Sequence, residues 1–236
     1  MNKTVLTMLA AAAVVAVVAD PTPRRGGRPV PVPAGQQADR VIIEQFPKPN
    51  RSTLPAPSVP GQSAIGNCFL GQRKWIVLET KYRTEQKWTE QLTFTWHVLL
   101  ETATATAKDR DDQAQLAPYS YFTTAVSYQN IPPGTHAAGV CLPPSYLERF
   151  GEPRAIGIVV TNAKGDVIAG DCESGIQGIQ SHPKQISDAF WNQPTIMNKP
   201  SNIPGVNMIE RRQGLVDRSK TIWALVNPND YEAVVQ

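Results

Sequence analysis

The sequence predicts an all-β sandwich. Three observations carry that expectation: apolar side chains alternate with a period of two in several segments after Gly66, turn residues recur roughly every ten to fifteen positions, and only one short helical signal interrupts them. The clearest segment is QLTFTWHVLL, residues 91–100, where Leu92, Phe94, Trp96, Val98 and Leu100 share one face. Gln91, Thr93, Thr95 and His97 share the other, with Leu99 the single exception. A helix scatters those five apolar positions around its circumference, whereas a strand aligns them.

Taken in order, the chain opens with MNKTVLTMLAAAAVVAVVA, in which Lys3 precedes an uncharged run ending in Val17, Val18 and Ala19. A cation, a short apolar stretch and small residues at its end are the parts of a secretory signal peptide. Residues 1–19 are therefore expected to be removed between Ala19 and Asp20. A membrane span needs about 20 apolar residues, and this run is shorter and alanine-rich, so no transmembrane span is expected after processing. The expected location is the periplasm, the outer-membrane surface or the medium.

Residues 20–64 hold ten of the 21 prolines. Proline fixes φ and removes a backbone donor, so this leader is expected to be extended and excluded from central strands. Within it DRVIIEQF, residues 39–46, brings three β-branched apolar residues together and suits an edge strand flanked by prolines. The domain proper is expected over residues 65–236.

Further strands are read at RKWIVLETKY (73–82), with Ile76, Leu78, Thr80 and Tyr82 on one face, and at YSYFTTAVSYQ (119–129), rich in β-forming residues. The turn Ile131-Pro132-Pro133-Gly134 leads into HAAGVCL (136–142). Ser145 is expected to cap one helical turn, YLERF, that stops at Gly151. RAIGIVVTNAKGDVIAGDC (154–172) reads as a hairpin whose turn, Asn162-Ala163-Lys164-Gly165, places glycine in the left-handed position. Residues 173–218 read as irregular loop with one strand near FWNQPTI (190–196), and TIWALVN (221–227) as a last strand. About seven to nine strands with one short helix favour an immunoglobulin-like sandwich with a proline-rich N-terminal extension, its mid-strand Trp96 in the core. A closed barrel is the alternative.

The formal charge of +3 is too small to argue for nucleic acid, which calls for a clustered basic face. Arg24, Arg25 and Arg28 cluster in the leader, where a solvated tail explains them. Of three cysteines, Cys141 and Cys172 are expected to pair, since export permits disulfides and both lie in the β-rich middle of the chain. That bond would close about 31 residues and stabilise by ~3 kcal/mol. Cys68 would remain free.

No segment marks a catalytic centre. The histidines His97, His136 and His182 lack the close ligand pairs of a structural zinc site. In GDCESGIQG (170–178) Cys172 stands where a nucleophile elbow needs glycine, and Ile176 where a phosphate loop needs lysine. Asp109, Asp111 and Asp112 suit a solvated turn. The expectation is a non-enzymatic protein with no cofactor and no metal. Tyr119, Tyr121 and Trp88 are the candidate contact surface, an aromatic patch for protein or glycan; a strand face packed under loops is the plainer explanation.

The signal peptide, the proline-rich leader, the RFGEPRAIGIVVTNAKGDVIAGD hairpin and the RSKTIWALVNPNDYEAVVQ ending together resemble the secreted immunoglobulin-like proteins of the type IV pilus-associated gene cluster of Akkermansia, in the Verrucomicrobia. The resemblance runs over most of the chain and carries no diagnostic motif. It implies a non-enzymatic surface or periplasmic component linked to pilus assembly or host contact, whose partners are envelope or pilus-assembly proteins, with host glycans as the alternative. A pilin keeps a long apolar helix for filament packing; this chain is expected to lose its only candidate, which argues against a pilus subunit. An exposed sheet edge or the aromatic face is the expected point of contact.

Overall fold

The computed structural model describes residues 40–48, 53–55, 74–85, 88–102, 117–201, 205–221 and 232–233. The expected signal peptide with Ala19 and Asp20, most of the leader, Cys68, the acidic turn and most of the expected last strand lie outside these residues. No helix among the described residues is long and apolar enough to cross a membrane.

Two sheets pack face to face. The first has the order β1 (Val41–Gln45), β3 (Lys74–Thr84), β6 (Gly134–Leu142), β10 (Val216–Asp217), with β2 (Thr53–Pro55) also pairing β3. The second has the order β11 (Glu232–Ala233), β5 (Tyr119–Ile131), β4 (Thr89–Glu101), β7 (Glu152–Asn162), β8 (Val167–Ser174), with β9 (Ile209–Arg212) lying parallel to β5. The chain crosses between sheets after β3, β5, β6, β9 and β10. With β1, β3 and β6 as strands A, B and E, and β5, β4, β7 and β8 as C′, C, F and G, this is an immunoglobulin-like strand order. The D position beside β6 is taken by β10, which arrives late in the chain.

The leader island forms β1 at the end of the first sheet, antiparallel to β3. From β3, Ile76, Leu78 and Tyr82 enter the core; from β4 all five alternating residues, Leu92 to Leu100, do so and are fully buried. Trp96 lies in mid-strand on C, and β3 and β7, which carry the inter-sheet disulfide of antibody domains, contain no cysteine. Burial of aliphatic and aromatic area must supply what that bond supplies elsewhere.

One end of the sandwich is closed by α1 (Pro144–Phe150). Its Tyr146 and Phe150 meet Phe122 edge-on at 5.8 and 5.6 Å. The cap differs from expectation: Pro143 is the N-cap and Pro144 opens the helix, with no side chain accepting from its first N–H groups. Proline's fixed φ suits the first helical position and displaces Ser145 into the turn itself. At the other end the β7–β8 hairpin turns as expected, with Gly165 at φ 86° and Asn162 Oδ1 accepting from the N–H of Lys164 and Asp166.

The Cys141–Cys172 pairing does not form: both are free, buried thiols. The reason is alternation. Val140 and Leu142 point into the core, so Cys141 points out from the first sheet, beneath Thr221 at 3.9 Å. Cys172 lies opposite outward-facing Gly157 and points out from the second. Two thiols on opposite outer faces of a sandwich, whose sheets lie about 10 Å apart, cannot meet the short Cβ–Cβ separation a disulfide requires.

The core predicts its own sensitivity. Trp96→Ala is expected to cost about 3–5 kcal/mol in urea unfolding, because a cavity opens between the sheets. Trp88→Ala, at a position 66 % exposed, is expected to stay within about 0.5 kcal/mol of wild type.

Candidate functional site

The outer face of the second sheet is the part of the molecule whose chemistry changes along its length. Side chains of odd-numbered residues on β4, β5 and β7 point to it, and pairing sets them in rows. The first row is Tyr121, Leu99, Ala155 and Ser174; the second is Thr123, His97, Gly157 and Cys172. The third is Ala125, Thr95, Val159 and Gly170; the fourth is Ser127, Thr93, Thr161 and Val167; Gln129 and Gln91 close the series.

The first two rows are covered. The segment 175–201 folds over them, with β9 beside it, and builds a second apolar cluster from Leu99, Tyr121, Ala155, Cys172, Phe190 and Met197. The strand expected at 190–196 is instead a 3₁₀ turn (Phe190–Asn192) and a short helix, α2 (Pro194–Met197). Proline at the first helical position starts that turn. Leu99, the exception to alternation in β4, belongs to this cluster, so the half of β4 nearest its end is buried on both faces.

Two strand glycines make room for the cover. A Cβ on Gly157 would lie 1.9 Å from Trp191 Cζ3, and one on Gly170 would lie 2.6 Å from Ile186 Cδ1. Trp191 stacks on His97 with ring centroids 4.3 Å apart and planes within 3°. His97 Nδ1 and the Tyr121 hydroxyl are 2.6 Å apart, and the Arg211 guanidinium sits 5.8 Å from the Tyr121 ring centre. Burial lowers the His97 pKa to about 4, so the imidazole is neutral near pH 7. Burial also raises Tyr121. This cluster is a structural seal.

The candidate aromatic surface is therefore not assembled. Tyr121 is only 5 % exposed, beneath Phe190 and beside His97, and is corrected from contact surface to core. Tyr119 packs partly buried at the margin of the same cluster. Trp88 is exposed but precedes β4, at the sheet's other end. Tyr82 is in the main core. Cys172, in the segment tested for a nucleophile, has its pKa pushed up to about 12, chiefly by burial and then by Asp171 and Glu173. Its thiol faces the Gln180 carbonyl at 3.9 Å, whereas His182 Nδ1 bonds the Asp171 carboxylate at 2.9 Å. A protonated thiol directed away from the imidazole is not an activated nucleophile.

Thr123 stays exposed at the margin of the second row, and Gly170 of the third lies under Ile186. The rest of the third and fourth rows lies outside the lid and holds no ionisable residue, whereas the last row continues through Gln129 to Glu232 of β11. Ala125, Gln129 and Val167 are exposed there, Thr93, Thr95, Val159 and Thr161 half-buried, and Ser127 buried. Thr93 Oγ1 and Ser127 Oγ bond each other at 2.8 Å. Ion pairs lie on both sheets: on the first, Arg83 pairs with Glu44 and Glu85, Arg40 with Glu85, and Arg218 with Glu79; on the second, Arg154 pairs with Glu101 and Arg212 with Glu210.

The edges of the second sheet are partly covered. The β5 edge is paired by β9 over Tyr119–Phe122 and by β11 at Tyr128–Gln129. Since the N–H of Tyr119 donates to Met208 across that edge, Ala125, in phase with it, directs its N–H and C=O into the gap between them. A shallow cleft of about 210 Å³ adjoins this gap, lined by Thr124–Ser127 and by Leu215, Val216, Asp217 and Lys220. On β8 the Cys172 carbonyl accepts from the His182 N–H and the Ser174 N–H donates to Ser181. Among the described residues, the exposed β5 edge expected as a docking element thus shrinks to one short opening, beside a cleft that Asp217 and Lys220 help to line.

Fold and site together define a class, a two-sheet β sandwich in an immunoglobulin-like strand order with a lid over part of the second sheet's outer face. No family model, curated protein or solved structure matches the chain.

The lid yields two expectations. Gly157→Ala should displace Trp191, lowering stability by about 1–3 kcal/mol and shifting tryptophan emission to the red, while Gly165→Ala leaves emission unchanged. Because His97 binds its proton less readily folded than unfolded, stability is complete above about pH 6.5 and falls as pH drops toward about 4. The loss should reach up to about 3 kcal/mol, read as the difference between wild type and His97→Gln in urea titrations across that range. A flat difference would remove His97 from the account.

Proposed function

We propose that this chain is a non-enzymatic, exported contact protein, accessory to pilus or cell-envelope assembly, which engages a protein partner through the part of its second sheet's outer face that the lid leaves open. One observation carries the reading: Thr93, Thr95, Val159 and Thr161 of the paired strands β4 and β7 stay half-buried and uncovered, with no ionisable residue among them, although the lid seals the rows beside them. Desolvating them removes no ion from water, which is the costly part of most surface burial.

Export is supported by the sequence of residues 1–19, and the pilus and envelope setting by the resemblance of the hairpin and C-terminal segments. The glycan alternative has less support. Sugar rings favour exposed aromatic platforms, and of the three aromatic candidates only Trp88 is exposed, away from the open rows.

The test is site-specific photo-crosslinking in the source cells, with a photoreactive residue in place of Thr95 and, as control, Lys81 on the opposite outer face. A discrete protein adduct from position 95, identified by mass spectrometry and lost on Thr93→Arg, is the expected result. Identical adduct patterns from both positions, or none from 95, would end the proposal.

A further inference from the structure

The geometry points to a strand-docking site: the opening in the β5 edge takes the C-terminal end of an extended peptide from a partner protein, its backbone pairing with Ala125 and its carboxylate meeting Lys220. The inference goes beyond the contact reading above, since it concerns an edge and a cleft and not the sheet's outer face.

Backbone chemistry defines the kind of occupant. β9 pairs the β5 edge as far as Phe122 and β11 pairs it again from Tyr128, so Thr123–Ser127 have no strand alongside among the described residues. Ala125 and Ser127 stand in phase with Tyr119, whose N–H donates across that edge, and direct their own N–H and C=O groups the same way. Donors and acceptors alternating at strand spacing are met in register only by another extended backbone.

Length defines how much of that backbone fits. A stretch of this size spans about 17 Å, and β9 and β11 occupy the same edge on either side. A strand running through would meet both of them. A chain that terminates in the opening needs room for only about four residues. The occupant is therefore a chain end.

Charge decides which end. The cleft beside the opening, about 210 Å³, lies between Thr124–Ser127 on one side and Leu215, Val216, Asp217 and Lys220 on the other. Its two ionisable groups are not equivalent. The Asp217 carboxylate is engaged, accepting from the Ser219 N–H at 2.9 Å and from its hydroxyl at 2.7 Å. Lys220 is exposed and forms no ion pair among the described residues. An unpaired ammonium beside open backbone donors attracts a carboxylate and repels an α-ammonium, so the end is the C-terminal one. Leu215 and Val216 offer an apolar wall to the side chain that turns inward.

Fluorescence anisotropy of the purified chain tests it, with an amino-terminally labelled Ser-Val-Thr-Val peptide as probe, ending in either a free carboxylate or an amide. The expected result is saturable binding of the carboxylate form at about 10–100 µM, the amide being at least about tenfold weaker. Lys220→Glu should abolish that preference and leave the amide's affinity in place. Ala125→Pro, which deletes the edge N–H, should abolish binding of both forms. Lys81→Glu, on the outer face of the first sheet, leaves every affinity unchanged. Should Ala125→Pro lose its circular dichroism signal, the Lys220→Glu comparison decides alone. No saturable binding, equal binding of acid and amide, or indifference to Lys220→Glu overturns the inference. So does a variant ending at Ala233 that binds the probe when the full chain does not, which assigns the opening to the chain's own last residues. A dimer of the full chain that this truncation dissolves assigns it to a second copy and overturns it too. Crosslinking from position 95 involves neither Ala125 nor Lys220, so the contact reading stands or falls on its own result.

Discussion

Strand β4 is the constraint on which the rest of the molecule depends. It is paired on both sides, by β5 and β7, and its inward row fills the space between the sheets with Leu92, Phe94, Trp96, Val98 and Leu100. A slip of one residue would turn that row to solvent and bring threonines and His97 into the core, so the register is held by the cost of exposing five large apolar side chains. The two sheets can close only around this row, and the chain's crossings between them follow from that closure. Tyr82, from the first sheet, at 4.8 Å and Tyr128, on the neighbouring strand β5, at 5.7 Å from Phe94 extend it across and along the core.

The same strand organises the outer surface. Its outward row runs from Gln91 through Thr93 and Thr95 to His97 and Leu99, from polar to apolar, and the lid covers only the apolar end. Gly157 and Gly170 lie at that boundary, where missing side chains let Trp191 and Ile186 sit directly on the sheet. The division into a sealed half and an open half is thus written in side-chain size as much as in polarity. The seal leaves β4 buried on both faces at one end, which explains why a strand expected to be half-buried is more deeply enclosed.

Ion pairs border both sheets, Arg83–Glu44 on the first and Arg154–Glu101 on the second, where they keep solvent contact and add little stability. Between the lid and the Gln91–Gln129 row, the second sheet carries hydroxyl and small apolar groups alone. A net charge of +3 over 236 residues says nothing of that local gap, because composition reports totals and not placement.

Alternation, turn residues and the proline-rich leader were enough to predict a β sandwich, the hairpin around Gly165 and the edge strand β1, because those signals are local: a period of two and a positive φ are properties of neighbouring residues. Nothing local announced the lid. Its apolar residues are spaced by turns, and Phe190 and Trp191 carry meaning only against Gly157, more than thirty positions away. Those strand glycines and the exception at Leu99 were the available signals, each marking a close approach to something unspecified. Tyr121 reads as an exposed aromatic until the lid lies over it, and Cys141 and Cys172 read as partners until the two sheets direct them to opposite sides. Faces, unlike strands, are made by residues brought together from distant positions, so the sequence decided which segments extend and the tertiary structure alone decided which of their sides meet water.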